Sequence, residues 1–176
     1  MPLTLLRAAL LSATCAMAGP AFADAHGLKL MRADLVSAEG ASIGSVAAEA
    51  TASGVVLITV TAEGLTPGWH AVHVHETGAC DAADGHKAAG GHLAGDAKHG
   101  IKVEGGPHPG DLPNQMVFEG GRLTADLFAH PSLTIDMLND EDGSSFIIHE
   151  GRDDYESQPS GDAGSRVACG VFKAAQ

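Results

Sequence analysis

Gly68-Trp69-His70-Ala71-Val72-His73-Val74-His75-Glu76 alternates valine and histidine through its second half. On a strand, successive side chains turn to opposite faces, so Val72 and Val74 share one face while His73 and His75 share the other. The valines can enter a core as the two imidazoles meet a metal. Imidazole suits both copper and zinc.

Short stretches of similar strand character recur on either side. They are Leu28 to Val36, Ser42 to Ala50, Val55 to Ala62, His70 to Glu76, Gln115 to Glu119, Leu123 to Phe128, Ser145 to His149 and Arg166 to Phe172. Glycine-bearing turns such as Glu39-Gly40, Ser53-Gly54 and Gly120-Gly121 separate several of them, and no long segment keeps a helical apolar period. Eight strands in an all-β sandwich or barrel are expected.

Two polar, glycine-bearing regions resist the strand reading, from Thr77 to Pro113 and from Gly151 to Ser165. Long loops of this kind in a compact domain are usually functional or disordered. The first carries His92, His99, His108 and Asp111, with gaps of seven, nine and three that suit a loop wrapped around a tetrahedral ion. The aspartate among them favours zinc. His149 ends the apolar run Phe146-Ile147-Ile148 and can complete the site of His73 and His75 from across the sheet. The second loop then forms a wall of the same site.

Arg7, the apolar stretch from Ala8 to Ala18 and Pro20-Ala21-Phe22-Ala23 read as a signal peptide over residues 1–23, removed after Ala23 together with Cys15. The expectation is one exported, soluble domain over residues 24–176. The stretch is shorter than the roughly 20 apolar residues a membrane helix needs, and nothing later approaches that length. Losing Arg7 moves the formal charge from −12 to −13. Nucleic acid and anionic membranes are therefore not expected partners, because both reward clustered positive charge.

In an oxidising compartment the remaining Cys80 and Cys169 suggest a disulfide, for which chain entropy gives roughly 4 to 5 kcal/mol before native strain reduces it. The alternative is that both are metal ligands.

Together Gly68-x-His70-x-x-His73-x-His75, His149-Glu150 and Gly161-Asp162-Ala163-Gly164-Ser165-Arg166-Val167-Ala168-Cys169-Gly170 resemble copper/zinc superoxide dismutase. The similarity spans nearly the whole mature chain and is greatest to the exported, periplasmic bacterial forms. It implies an eight-stranded Greek-key β-sandwich or barrel with two long functional loops. It also implies one copper held by His73, His75, His92 and His149, and one zinc held by His92, His99, His108 and Asp111. Asp153 matches a carboxylate that hydrogen-bonds one ligand of each metal, here His73 and His99, and such a partner fixes ring orientation. Arg166 matches the arginine at the mouth of the copper site, and Cys80 with Cys169 the disulfide.

The implied reaction converts superoxide to oxygen and hydrogen peroxide by alternating copper oxidation states. His92 leaves copper on reduction, takes up a proton while still on zinc and gives it to the departing peroxide. The resemblance admits a homodimer as well as a monomer. The step from His92 to His99 is one residue shorter than the family spacing, which makes His86 a competing ligand; His99 is preferred because the gaps of nine and three to His108 and Asp111 are kept. His70 reads as a hydrogen-bonded structural residue, Trp69 as packing, and His26 and His130 as solvated. A metal carrier on the same fold would be expected to lack a ligand, the bridging histidine or the arginine. A zinc hydrolase would need an open zinc position.

Overall fold

The computed structural model describes residues 29–175. The signal peptide expected over residues 1–23, with Cys15, and His26 lie outside them. Among the described residues ten strands form: β1 (Leu30–Ser37), β2 (Ser42–Ala50), β3 (Val56–Ala62), β4 (Gly68–His70), β5 (Val72–His75), β6 (Gln115–Val117), β7 (Leu123–Phe128), β8 (Ser145–His149), β9 (Arg166–Val171) and β10 (Lys173–Ala174). A curled antiparallel sheet runs in the order β5-β8-β9-β1-β2-β3-β7, with β10 continuing along β1, and β4 pairs separately with β6. This is the expected all-β class. No helix among the described residues is long and apolar enough to cross a membrane.

The difference from eight strands has a local cause. The stretch expected from His70 to Glu76 is cut at Ala71: His70 ends β4, which begins at Gly68 and pairs with β6, while Val72–His75 forms β5 and pairs with β8. Ala71 itself donates to the Gly151 carbonyl at 2.7 Å and accepts from the His149 N–H at 2.9 Å. The second addition, β10, follows a break at Phe172.

Alternation fixes which faces go inward. On β3, Val56, Ile58, Val60 and Ala62 are buried; on β1, Met31, Ala33 and Leu35; on β2, Val46 and Ala48. These meet Val72, Val74, Phe146 and Ile148 in one core. Burial of each larger aliphatic or phenyl group contributes about 1.5–3 kcal/mol. The short helix α1 (Ile135–Leu138), capped by Thr134, closes one side of that core with Ile135 and Leu138.

Register then places the site. Val72 lies opposite Ile148 and Val74 opposite Phe146, so β5 and β8 spend those positions on the core. The alternate positions, His73 with Ile147 and His75 with Ser145, face the first loop. The Cys80–Cys169 disulfide, with Cα atoms 5.7 Å apart, fastens the start of that loop to β9. Ala89 and Ile147 pack beside it in a small second cluster.

Candidate metal centre

The first loop is drawn onto β5 by backbone pairing: Val74 N–H donates to the Gly110 carbonyl at 2.9 Å, and Leu93 N–H donates to the Val74 carbonyl at 2.8 Å. Isolated bridges join His73 to Asp111 and His75 to His92. Gly110 permits this approach, since a Cβ there would stand 2.4 Å from the Val74 carbonyl oxygen. The result carries His92 to the imidazoles of β5.

His73, His75, His92 and His149 bring one ligand atom each within 4.8 Å of one another, all four side chains buried. His73 Nε2 donates to Asp153 Oδ2 at 2.9 Å, His75 Nδ1 to the Gly90 carbonyl at 3.1 Å, and His149 Nδ1 faces the Gly164 carbonyl at 3.4 Å. A neutral imidazole donating through one nitrogen leaves a lone pair on the other. The nitrogens so left, His73 Nδ1, His75 Nε2 and His149 Nε2, together with His92 Nε2, are buried with no hydrogen-bond partner. Buried polar atoms are rarely left bare, and four converging lone pairs are what a copper ion requires. The residues fit that ion.

Electrostatics keep these rings neutral. Burial, with the neighbouring His92, pushes His75 down to about 2. Burial also takes His149 to about 3 and His73 to about 4, the latter against the opposing pull of Asp153. At neutral pH the free nitrogens of these three rings carry no proton to displace.

The second group is gathered differently. His92 Nδ1 and His99 Nδ1 both lie 3.0 Å from Asp111 Oδ1, and His108 Nδ1 lies 3.2 Å from that oxygen and 3.4 Å from His92 Nδ1. Zinc held at roughly 2.0–2.1 Å in tetrahedral geometry separates its ligands by about 3.3 Å. The four donors fit. His73 also lies within 4.8 Å of His92, His99 and Asp111, but its Nε2 is engaged by Asp153, so its free nitrogen belongs with the first group. Asp111 Oδ2 accepts from the N–H groups of Gly100 and His108, which fixes the carboxylate. Although burial opposes it, contact with His92 and His99 and the Gly100 N–H hold this carboxyl well below the usual range. Burial lowers His99 but is outweighed by Asp111 and Asp153, which raise it to about 9.

His92 is the shared residue, with Nδ1 in the second group and Nε2 in the first. Asp153 joins the groups a second way, since its Oδ1 accepts from His99 Nε2 at 3.0 Å and its Oδ2 from His73. Gly161, at φ +73°, leaves the necessary room, because a Cβ there would collide with both Asp153 Oδ1 and His99 Nε2.

Arg166, half-buried on β9, donates Nη1 to the His86 carbonyl at 2.7 Å and Nη2 to the Gly90 carbonyl at 2.6 Å. The Gly90 carbonyl thus serves both Arg166 and His75. His86 belongs to neither group of ligand atoms. Its ring is buried elsewhere and its backbone orients the arginine. His70 has the structural role expected, with Nδ1 2.6 Å from the His149 carbonyl and Nε2 2.8 Å from the Thr66 carbonyl. Trp69 departs from simple core packing: it is 45% exposed and lies under the guanidinium of Arg152 at 5.4 Å. Lys102 reaches the second loop from the first, donating to the Asp154 carbonyl at 2.7 Å. That loop contains no lysine of its own, so its sequence alone gave no sign of this contact.

Residues 42–172 match the family described as copper/zinc superoxide dismutase. A protein of Caulobacter vibrioides named Cu-Zn superoxide dismutase is 38% identical over 126 residues, 67% of this chain and 71% of its own. One of Aquifex aeolicus, named Cu-Zn superoxide dismutase 1, is 39% identical over 158 residues, covering 86% and 92%. The crystal structure of a dismutase-like protein from Bacillus subtilis is 36% identical and superposes with a TM-score of 0.73 over 80% of this chain and 96% of the other.

Proposed function

Because the chain belongs to the copper/zinc superoxide dismutase family, we propose that His73, His75, His92 and His149 hold its copper and that His92, His99, His108 and Asp111 hold its zinc. The chain is an enzyme that dismutes superoxide to oxygen and hydrogen peroxide. One observation carries the residue assignment: four buried imidazole nitrogens converge without partners, and one of them belongs to a ring whose other nitrogen sits among the second group.

Copper, when bound, supplies the alternating one-electron oxidation and reduction, while zinc, which has no redox chemistry, supplies charge and shape. His92 carries the proton. Its Nδ1 is held on the Asp111 side, so Nε2 is the atom at which a proton is taken up and passed to the reduced product. Asp153 fixes the rings of His73 and His99 through one carboxylate. Arg166 is pinned by two carbonyls with its positive charge near His75 and His149, and it draws the superoxide anion past an acidic surface of formal charge −12 for the full chain. The Debye length of about 8 Å at physiological ionic strength lets this local charge prevail over distant acids.

The proposal places the mature domain, residues 24–176, in the periplasm after cleavage following Ala23. The Cys80–Cys169 disulfide supports an oxidising compartment, and the N-terminal mass of the exported protein tests the cleavage point. Monomer and homodimer are both compatible with this reading, and sedimentation velocity distinguishes them.

The decisive experiment is superoxide decay catalysed by residues 24–176 loaded with copper and zinc, beside an identically loaded His149→Ala control. Rapid decay that the substitution abolishes is expected. If wild-type protein binds both metals yet is no more active than the control, the catalytic assignment fails and metal storage or delivery takes its place.

A further inference from the structure

Two side-chain amides cross between the long loops in opposite directions. Asn114, buried at the exit of the first loop, accepts the Asp153 N–H at Oδ1 and donates Nδ2 to the Asp153 carbonyl, each at 2.8 Å. Gln158, exposed on the second loop, accepts the His99 N–H at Oε1, 3.0 Å, and donates Nε2 to the His99 carbonyl at 2.8 Å. Each planar amide therefore occupies the place a neighbouring strand would take, serving both the donor and the acceptor of one residue on the opposite loop. The two residues gripped are themselves joined, Asp153 Oδ1 to His99 Nε2 at 3.0 Å.

The surrounding contacts run along the same seam. Tyr155 Oη accepts the Asn114 N–H at 2.7 Å, and Lys102 N–H donates to the Tyr155 carbonyl at 3.2 Å. His99 lies outside any helix or strand, in an irregular part of the loop, so no ladder fixes its backbone. Asp153 likewise lies outside the sheet.

We infer that Asn114 and Gln158 are positioning residues that make zinc retention depend on docking of the second loop. The inference rests on the zinc assignment given above. His99 Nδ1 is turned to the zinc group with its other nitrogen held by Asp153, whose carboxylate also accepts the Tyr155 N–H at 2.6 Å, and Asn114 is the group that ties the Asp153 backbone to the first loop. Gln158 closes the circuit by fixing the His99 backbone from the loop that carries Asp153. Removing either amide leaves one link unheld, and the imidazole gains freedom to leave its ligand position.

The test measures zinc release from the copper- and zinc-loaded protein into excess chromogenic chelator, with the melting temperature of the metal-free protein recorded alongside. Changing a partner of a metal ligand typically costs 10–100-fold in metal affinity, and these residues act one contact further out. Asn114→Ala is expected to release zinc about tenfold faster than wild type. The exposed Gln158→Ala is expected to give a few-fold increase. Gln158→Glu, which keeps the acceptor for the His99 N–H and loses the donor, is expected to fall between wild type and Gln158→Ala. The double variant is expected to release little faster than Asn114→Ala alone, since both amides hold one docked pair of loops. Should Asn114→Ala fail to fold, the exposed Gln158 pair decides the matter. Release rates within twofold of wild type, or a fall in metal-free melting temperature with no change in release, overturn the inference. A wild-type protein that holds no zinc overturns the site assignment and this inference with it.

Discussion

The histidines carried by strands and those carried by the first loop reach one centre by different means. His73, His75 and His149 stand on β5 and β8, where register alone aims them, and their facing nitrogens are left without protein partners. His92, His99 and His108 stand on a loop and are collected by one carboxylate oxygen of Asp111. The sheet thus imposes a cluster of bare lone pairs at a cost in buried polar atoms, whereas the loop gives each imidazole a carboxylate partner at Nδ1, engages His99 at both nitrogens and leaves His92 Nε2 to the strand group. Burial dominates on the strands and depresses the imidazoles, and it lowers His108 on the loop as well, but the two carboxylates of Asp111 and Asp153 raise His99 to about 9.

Acid on the metal-free protein should expose this contrast most. His73, His75 and His149 are depressed to about 4, 2 and 3. Unfolded chain therefore binds protons at these groups below its pKa near 6.5 while the folded chain does not. Their contribution is present above 6.5 and is lost as pH falls below it, on the order of a few kcal/mol in all. His99 has the opposite sign: its contribution is complete below 6.5 and is lost as pH rises through about 9, on a shallower limb because one group titrates there against three on the acid side. Urea unfolding of metal-free protein across pH should therefore show maximum stability near pH 6.5 with the steeper fall on the acid side. A profile that rises toward acid breaks the comparison.

Asp111→Ala removes the collector of the loop group. Zinc affinity should fall more than about 100-fold, beyond the effect of losing an outer contact, while the strand-borne copper ligands lose far less. Competitive chelation of each metal reads both, and equal losses would mean that the two halves do not assemble separately. Asp153→Asn probes the residue they share and should weaken both metals by about 10- to 100-fold. A loss confined to one metal would show that its carboxylate serves only that side. Least affected should be the rate with salt. Raising ionic strength from low to physiological should slow superoxide decay by less than about threefold, because Arg166 acts at close range while Asp154, Glu156 and Asp162 share the second loop. A steeper slope would extend electrostatic guidance to that whole loop.

Much of the strand half was legible in the sequence. The period of two in Val72-His73-Val74-His75 assigns the two faces, and the same alternation in β1, β2 and β3 identifies the core side chains. The loop half was legible only as a composition and a set of gaps. The spacing between His92 and His99 left His86 as an alternative, and the structure places His99, not His86, beside Asp111. Asn114, Gln158, Lys102 and the backbone of His86 carried no signal at all, since their roles are contacts between residues far apart in sequence whose types are common on any surface.

What the sequence by itself determined is the all-β class, the two faces of β5 and the donor chemistry of the metal residues, because strand periodicity and ligand type are local properties. Tertiary structure alone decided the split of the central stretch at Ala71, the second nitrogen of each imidazole left free, and the seam between the loops. These depend on which backbone groups meet across the sheet and between the loops, and neither residue of such a pair carries that information alone.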